Sequence, residues 1–194
     1  GAMELSLSDP QASLAGNFLF ETHDPTPGSP GSGDEMVTTA LSGGSFAFDN
    51  GTSDLLSVSG VTGALVFTPD GVVGEAEGSV SLSAGALVLS GTFEMALNDT
   101  SSAYNQTVQV EGASVTIDVA AGPYLRVSGD DATLTVLGVG LTGDFVFEER
   151  TTDTGGERVV TVAARNVSLE LGSLAASNML ELSNGSGAFL ITED

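Results

Sequence analysis

Cysteine, lysine and tryptophan are all missing from this chain of 194 residues, and each absence removes a class of chemistry. Without cysteine there is no disulfide framework, no thiolate nucleophile and no thiolate metal site. Without lysine there is no Schiff-base chemistry, no Ser-Lys catalysis and no P-loop. Aromatic residues make up only 6% of the chain, and Tyr104 and Tyr124 are the two tyrosines. A cleft that cleaves sugars with paired carboxylates needs aromatic faces for the ring, so the many Asp and Glu residues do not read as a glycosidase. His23 is the one histidine; it precedes Asp24 and Pro25 at the start of a long polar segment. With no G-x-S-x-G elbow to supply a nucleophile, it reads as a solvated loop residue. The expectation is a protein that is not an enzyme and has no catalytic residues.

Positive charge is nearly as scarce. Arg126, Arg150, Arg158 and Arg165 stand against 26 acidic residues, for a formal net charge of −22. Binding a polyanion requires clustered cations, which excludes nucleic acid and anionic membrane surfaces as partners. No run of 18 apolar residues and no signal-like leader is present, so no membrane insertion is expected. The acidity itself reads as repulsion that keeps a β protein soluble and its edges apart. A salty environment, or Ca²⁺ neutralising part of the charge, is the alternative.

What remains is apolar content of 41%, carried by Val, Leu and Ala among many Ser and Thr, with 26 glycines. That mixture favours β-strands closed by tight turns. Gly1-Ala2-Met3 reads as the remnant of a removed purification tag, with natural sequence beginning at Glu4 inside a longer chain.

Repetition is the most informative feature. Leu14-Ala15-Gly16-Asn17-Phe18-Leu19-Phe20-Glu21 recurs 127 residues later as Leu141-Thr142-Gly143-Asp144-Phe145-Val146-Phe147-Glu148, with a weaker copy at Leu89-Ser90-Gly91-Thr92-Phe93-Glu94-Met95. Each copy leads through a polar stretch to a second apolar run, at 36–40, 107–110 and 159–162, which predicts three β-hairpin blocks. A third strand continues each block, at 45–48, 114–119 and 167–171. Gly63-Ala64-Leu65-Val66-Phe67-Thr68 likewise recurs 124 residues on as Gly187-Ala188-Phe189-Leu190-Ile191-Thr192, and extra strands are expected around 72–82.

Apolar residues on one face of a strand keep one parity. Here the parity switches at Gly112-Ala113 and at Arg165-Asn166, with Gly43-Gly44 in the matching place, which predicts a bulge or corner in each block. The nine phenylalanines alternate with small or polar residues, the pattern of a core. The expected organisation is a first unit at residues 4–140, with hairpin blocks starting near 14 and 89, and the start of a second, continuous unit at 141–194. The expected fold is all-β: antiparallel hairpin blocks stacked into an elongated β-solenoid or prism-like array. Tandem β-sandwiches are the alternative.

For Ca²⁺ the candidate ligands are Asp70 in the Pro69-Asp70-Gly71 turn, Glu75 and Glu77 on one strand face, and Asp130-Asp131 in a turn after Gly129. Neither the EF-hand loop nor the calcium-binding nonapeptide is present, so these read first as solvated acidic residues, and no cofactor is expected. Five N-x-[ST] matches, at Asn50, Asn98, Asn105, Asn166 and Asn184, are read without function, two of them marking turns where Asn tolerates positive φ.

Acidic, cysteine-free and repetitive, rich in Gly, Thr, Ser and Val, the chain resembles the tandem β modules of very large secreted or surface-anchored bacterial proteins, adhesins among them. That resemblance implies an extracellular or cell-surface location and a non-catalytic role extending or stiffening a larger protein, with neighbouring repeats of the same chain as partners. The alternative expectation is an adhesion module that binds glycan or a surface protein through hairpin loops at 23–34, 98–104 and 150–157.

Overall fold

The computed structural model describes residues 1–8, 11–23, 36–49, 54–110, 112–151, 158–174 and 177–192. They are all-β, with no helix among the described residues. The strands are β1 (Ala2–Ser8), β2 (Gln11–His23), β3 (Met36–Asp49), β4 (Asp54–Thr68), β5 (Gly71–Ala84), β6 (Leu87–Asn98), β7 (Tyr104–Val110), β8 (Ala113–Val119), β9 (Tyr124–Val136), β10 (Val139–Thr151), β11 (Arg158–Leu174) and β12 (Ser177–Thr192). The three residues expected to be a tag remnant are ordered with the rest: Ala2 and Met3 pair with Asn17 and Gly16.

Ten strands form one open antiparallel sheet in the order β1-β2-β3-β4-β5-β6-β9-β10-β11-β12. Hairpin blocks therefore add side by side within a single sheet. The middle block departs from the expected pattern. Its first strand, β6, pairs with β5 and β9, whereas the run at 107–110 belongs to β7, which pairs only with β8. This separate hairpin folds back over one face of the sheet, touching β2 through β6. Gly112-Ala113, expected to be a bulge or corner, is instead where the β7–β8 hairpin turns, with Gly112 at φ 83°.

The other parity switches are bulges. Register shifts place an extra residue in the middle of β3, β4, β9, β11 and β12, and a second at the start of β4. At the mid-strand points Gly43, Gly60, Asp131, Asn166 and Asn184 have φ between 49° and 64°. An inserted left-handed residue shifts sequence parity by one while the strand keeps its faces. Apolar residues in β11 thus run Val160, Val162 and then Val167, Leu169, all on the same side. The unbulged strands keep one parity throughout, as β6 does with Leu87, Leu89, Phe93, Met95 and Leu97. The bulges recur in the two similar three-strand units: Gly43 and Gly60 in β3 and β4, Asn166 and Asn184 in β11 and β12.

The repeated Leu-x-Gly-[Asn/Thr/Asp]-Phe segment lies on unbulged strands beside these insertions. In β10 a Cβ on Gly143 would sit 3.1 Å from the Arg165 carbonyl and the Val167 Cα, and in β2 one on Gly16 would meet Leu41 at 2.6 Å. The motif that carries the repeat is therefore a seat for a neighbour's bulge.

The hairpin and the sheet enclose the core. Val108, Val110, Val115, Ile117 and Val119 from the hairpin meet Met36, Ala40, Ala64, Val66, Val73 and Ala96 from the sheet. Three alanines on the sheet side let the second layer approach closely.

Candidate functional site

Register and alternation sort the sheet's side chains onto two faces. One is the face under the hairpin, here the covered face. No described element lies on the other, the bare face.

On the covered face the junction between hairpin and sheet is polar and tightly tied. The fully buried Asn98 donates from Nδ2 to the carbonyls of Ser102 and Ala120 at 2.8 and 2.7 Å, and its Oδ1 accepts from the N–H and the hydroxyl of Thr100 at 2.8 Å each. This fastens both ends of the excursion from β6 to β9. The 98–104 segment, expected to be a recognition loop, is thus anchored at its start by its own asparagine. Of the sequon asparagines, Asn98 is buried, and Asn166 and Asn184 occupy bulges.

Glu75 and Glu77 do share a strand face, as expected, beside the hairpin. Asp118 donates its N–H to Glu75 Oε2 at 2.7 Å, joining β8 to β5. Partial burial raises the Glu75 pKa above its ordinary value, with the Glu94 and Asp118 charges adding to the effect and the hydrogen bond and Arg126 opposing it.

Beyond the hairpin, β6, β9, β10 and β11 form the floor of a polar cleft of about 390 Å³, lined by Glu94, Arg126, Asp130, Asp144, Glu148 and Arg165 among others. Asp144 organises it. Its Oδ1 accepts from the Asp131 N–H at 3.1 Å, and its Oδ2 from Asn166 Nδ2 at 2.7 Å and Arg165 Nε at 3.1 Å. One carboxylate on an unbulged strand thereby holds the bulges of both neighbours. These hydrogen bonds, the Asp131 backbone's first, lower the Asp144 pKa.

Asp130 and Asp131, expected in a turn, lie mid-strand in β9, where Asp131 is the bulged residue. The left-handed conformation that Gly-Asp-Asp suggests is used, but to widen a strand rather than reverse it. Asp130 faces Arg165 at 3.8 Å. Asp70 sits in the β4–β5 turn as expected, apart from the other candidates. Among the described residues no group of three or more His, Asp or Glu side chains is placed to hold a metal ion. His23 pairs with Met36 at the end of β2; most of the 23–34 and 150–157 loops lies outside the described residues, as does Asn50.

The bare face is different in kind. All nine phenylalanines project from it: Phe18, Phe20, Phe46, Phe48, Phe67, Phe93, Phe145, Phe147 and Phe189. One register line across it reads Phe48, Leu56, Leu82, Leu89, Leu134, Leu141, Leu169, Leu182. The same six central strands present Ser57, Ser81, Ser90, Thr133, Thr142 and Ser168 on the reverse. Phe20 is 71% exposed, Phe189 59% and Phe147 50%. Isolated soluble proteins rarely expose apolar patches beyond a few hundred Å², and this one crosses every strand of the sheet. The expectation that the phenylalanines form the core is therefore corrected: alternation does place them on one face, but the core lies under the hairpin and holds none of them, and no described part of the chain covers the face they share.

Comparison with protein-family models, with curated proteins and with solved structures gave no match.

Proposed function

We propose that this chain is a non-catalytic structural module of a larger extracellular or cell-surface β protein, elongated by adding hairpin blocks edge to edge. The observation that carries the reading is the edge of β12, which pairs with β11 and with no other described strand. This strand repeats β4, and β4 pairs on its far side with β5. A strand in the place of β5 would continue the sheet by the same register.

The edge is suited to that use. Solitary proteins blunt long edges with lysine, proline or inward charges. β12 runs for 16 residues, Ser177–Thr192, with Glu181 as its one charged residue and no proline. Among the described residues the acidic side chains other than Glu149 lie on the covered face, on the hairpin and in the turns, where they keep assemblies apart without obstructing strand addition. Prism-like stacking of such sheets, or division into successive sandwiches, would follow from how their faces meet. The composition that resembles bacterial surface proteins supports the location.

Chains lengthened by whole units of 127 residues test this. Coupled repeats gain an interface with each unit, so the melting temperature should rise with unit number. Melting that is independent of unit number would mean that the units fold separately, and would end the edge-to-edge reading.

A further inference from the structure

We infer that the bare face is a dimerisation surface, and that its occupant is the bare face of a second copy of this chain. The inference goes beyond the edge reading and stands whether or not β12 is extended.

Size argues first. Ten strands at about 4.8 Å spacing, with a dozen or so residues each at about 3.3 Å rise, give a face on the order of 1,500–2,000 Å². A stable complex needs roughly 800 Å² from each partner. The chemistry is equally one-sided. Of the 15 large apolar residues that are exposed among the described residues, 12 lie on this face; Val88 and Leu190 are on the other, and Leu137 is in a turn. Among the described residues the charged side chains on the bare face are Glu149 and Arg158, which pair with each other at 2.8 Å at one end of the sheet. The net charge of −22 therefore offers little resistance to two such faces meeting.

Relief then selects the partner. Gly63 and Ala76 leave a trough over β4 and β5, an apolar hollow of about 300 Å³ walled by Phe18, Phe20, Phe67 and other side chains. Three strands across the sheet from β5, Phe145 and Phe147 form a ridge on β10. A twofold axis along the strands near β6 carries each copy's ridge into the other's trough, the self-complementary arrangement an isologous dimer requires. A lipid surface fits less well. Sheets that face a bilayer carry tyrosine and tryptophan at their rims. Here tryptophan is absent, Tyr124 is on the covered face, and Tyr104 belongs to the hairpin.

The test is sedimentation equilibrium of the whole chain over roughly 1–100 μM, a range that spans the affinities of ordinary interfaces. The expected result is a two-chain species. Phe147→Glu and, separately, Phe20→Glu should each weaken it at least about 30-fold, as loss of a central anchor does. Leu190→Glu, equally exposed but on the covered face, should leave it unchanged. Both phenylalanines are half or more exposed, so the variants should fold, and circular dichroism checks that they do. Four outcomes overturn the inference: a monomer throughout the range, a dimer indifferent to both substitutions, assembly beyond two chains that survives them, or a monomer that instead binds phosphatidylcholine vesicles. The third would leave the edge reading intact, which separates the two.

Discussion

The two faces of this sheet come from the same strands, yet the covered one is lined with small side chains and the bare one with large. Under the hairpin lie Ala40, Ala64 and Ala96, with valines and one isoleucine above them and no phenylalanine. Across the sheet all nine phenylalanines stand partly or largely in the open. A two-stranded layer that spans only β2 to β6 must sit close, and alanine allows it to; a broad partner sheet is held about 10 Å away, which leaves room for aromatic rings. On the dimer inferred above, side-chain size on each face would follow the spacing to its partner layer. If the bare face were meant for water, it would have the serine and threonine of its reverse.

The sharpest way to break that contrast is to delete a side chain from each face. Ile117 is fully buried between hairpin and sheet, and Ile117→Ala should cost about 2–5 kcal/mol in urea denaturation, the range for cavity-forming changes in a core. Phe147→Ala removes a larger side chain, yet at low concentration, where the chain is monomeric, it should cost less than about 1 kcal/mol. Its penalty should grow as the chain is concentrated and the faces meet. Equal and concentration-independent losses would show that the two faces do not differ in the way proposed.

A smaller effect is expected along the bulge line, which allows both faces to keep their identity. Asn166 has φ 54°, a conformation that β-branched residues adopt only under strain. Asn166→Val should cost roughly 1–3 kcal/mol, and more than Asn166→Gly, since glycine keeps the backbone and gives up only the hydrogen bond to Asp144. If valine were tolerated as well as glycine, the left-handed residue would not be what holds the bulge.

These bulges mark how far the sequence could be read. The switch from Val160 and Val162 to Val167 and Leu169 exposes an inserted residue without any structure, because strand periodicity is strict. Glycine or asparagine at the switch identifies the conformation. The middle block defeated the same reasoning, since Val108 and Val110 alternate just as Val160 and Val162 do. A strand's own pattern does not say which partner it takes. What diverts β7 from the sheet is the Asn98 knot and the non-local pairing of β6 with β9, both of which depend on residues distant in sequence. The acidic candidates divided likewise: the shared face of Glu75 and Glu77 follows from period two, whereas Gly129-Asp130-Asp131 is equally good as a turn or as a bulge.

The finest distinction lies within the covered face, between two carboxylates whose pKa values move in opposite directions. Asp144 accepts three hydrogen bonds that favour its charged form, so its folded pKa lies below the ordinary 3.8. The stability it contributes is complete above 3.8 and is lost as pH falls through the lowered value. Glu75, partly desolvated by the hairpin and near Glu94 and Asp118, has a folded pKa above the ordinary 4.5. The folded state then holds the Glu75 proton more tightly than the unfolded chain. Its contribution is full below 4.5 and is lost as pH rises through the raised value. Denaturation midpoints measured across the acid range should therefore separate the two. Glu75→Gln should flatten the part of the profile above 4.5, where the wild type gains stability on acidification. Asp144→Asn should flatten the part below 3.8, where the wild type loses it, and should lower stability at neutral pH, because an amide accepts with one oxygen where the carboxylate used two. If Glu75→Gln left the upper limb unchanged, the hairpin would not be desolvating that carboxylate, and its close seating on the alanine floor would be in error.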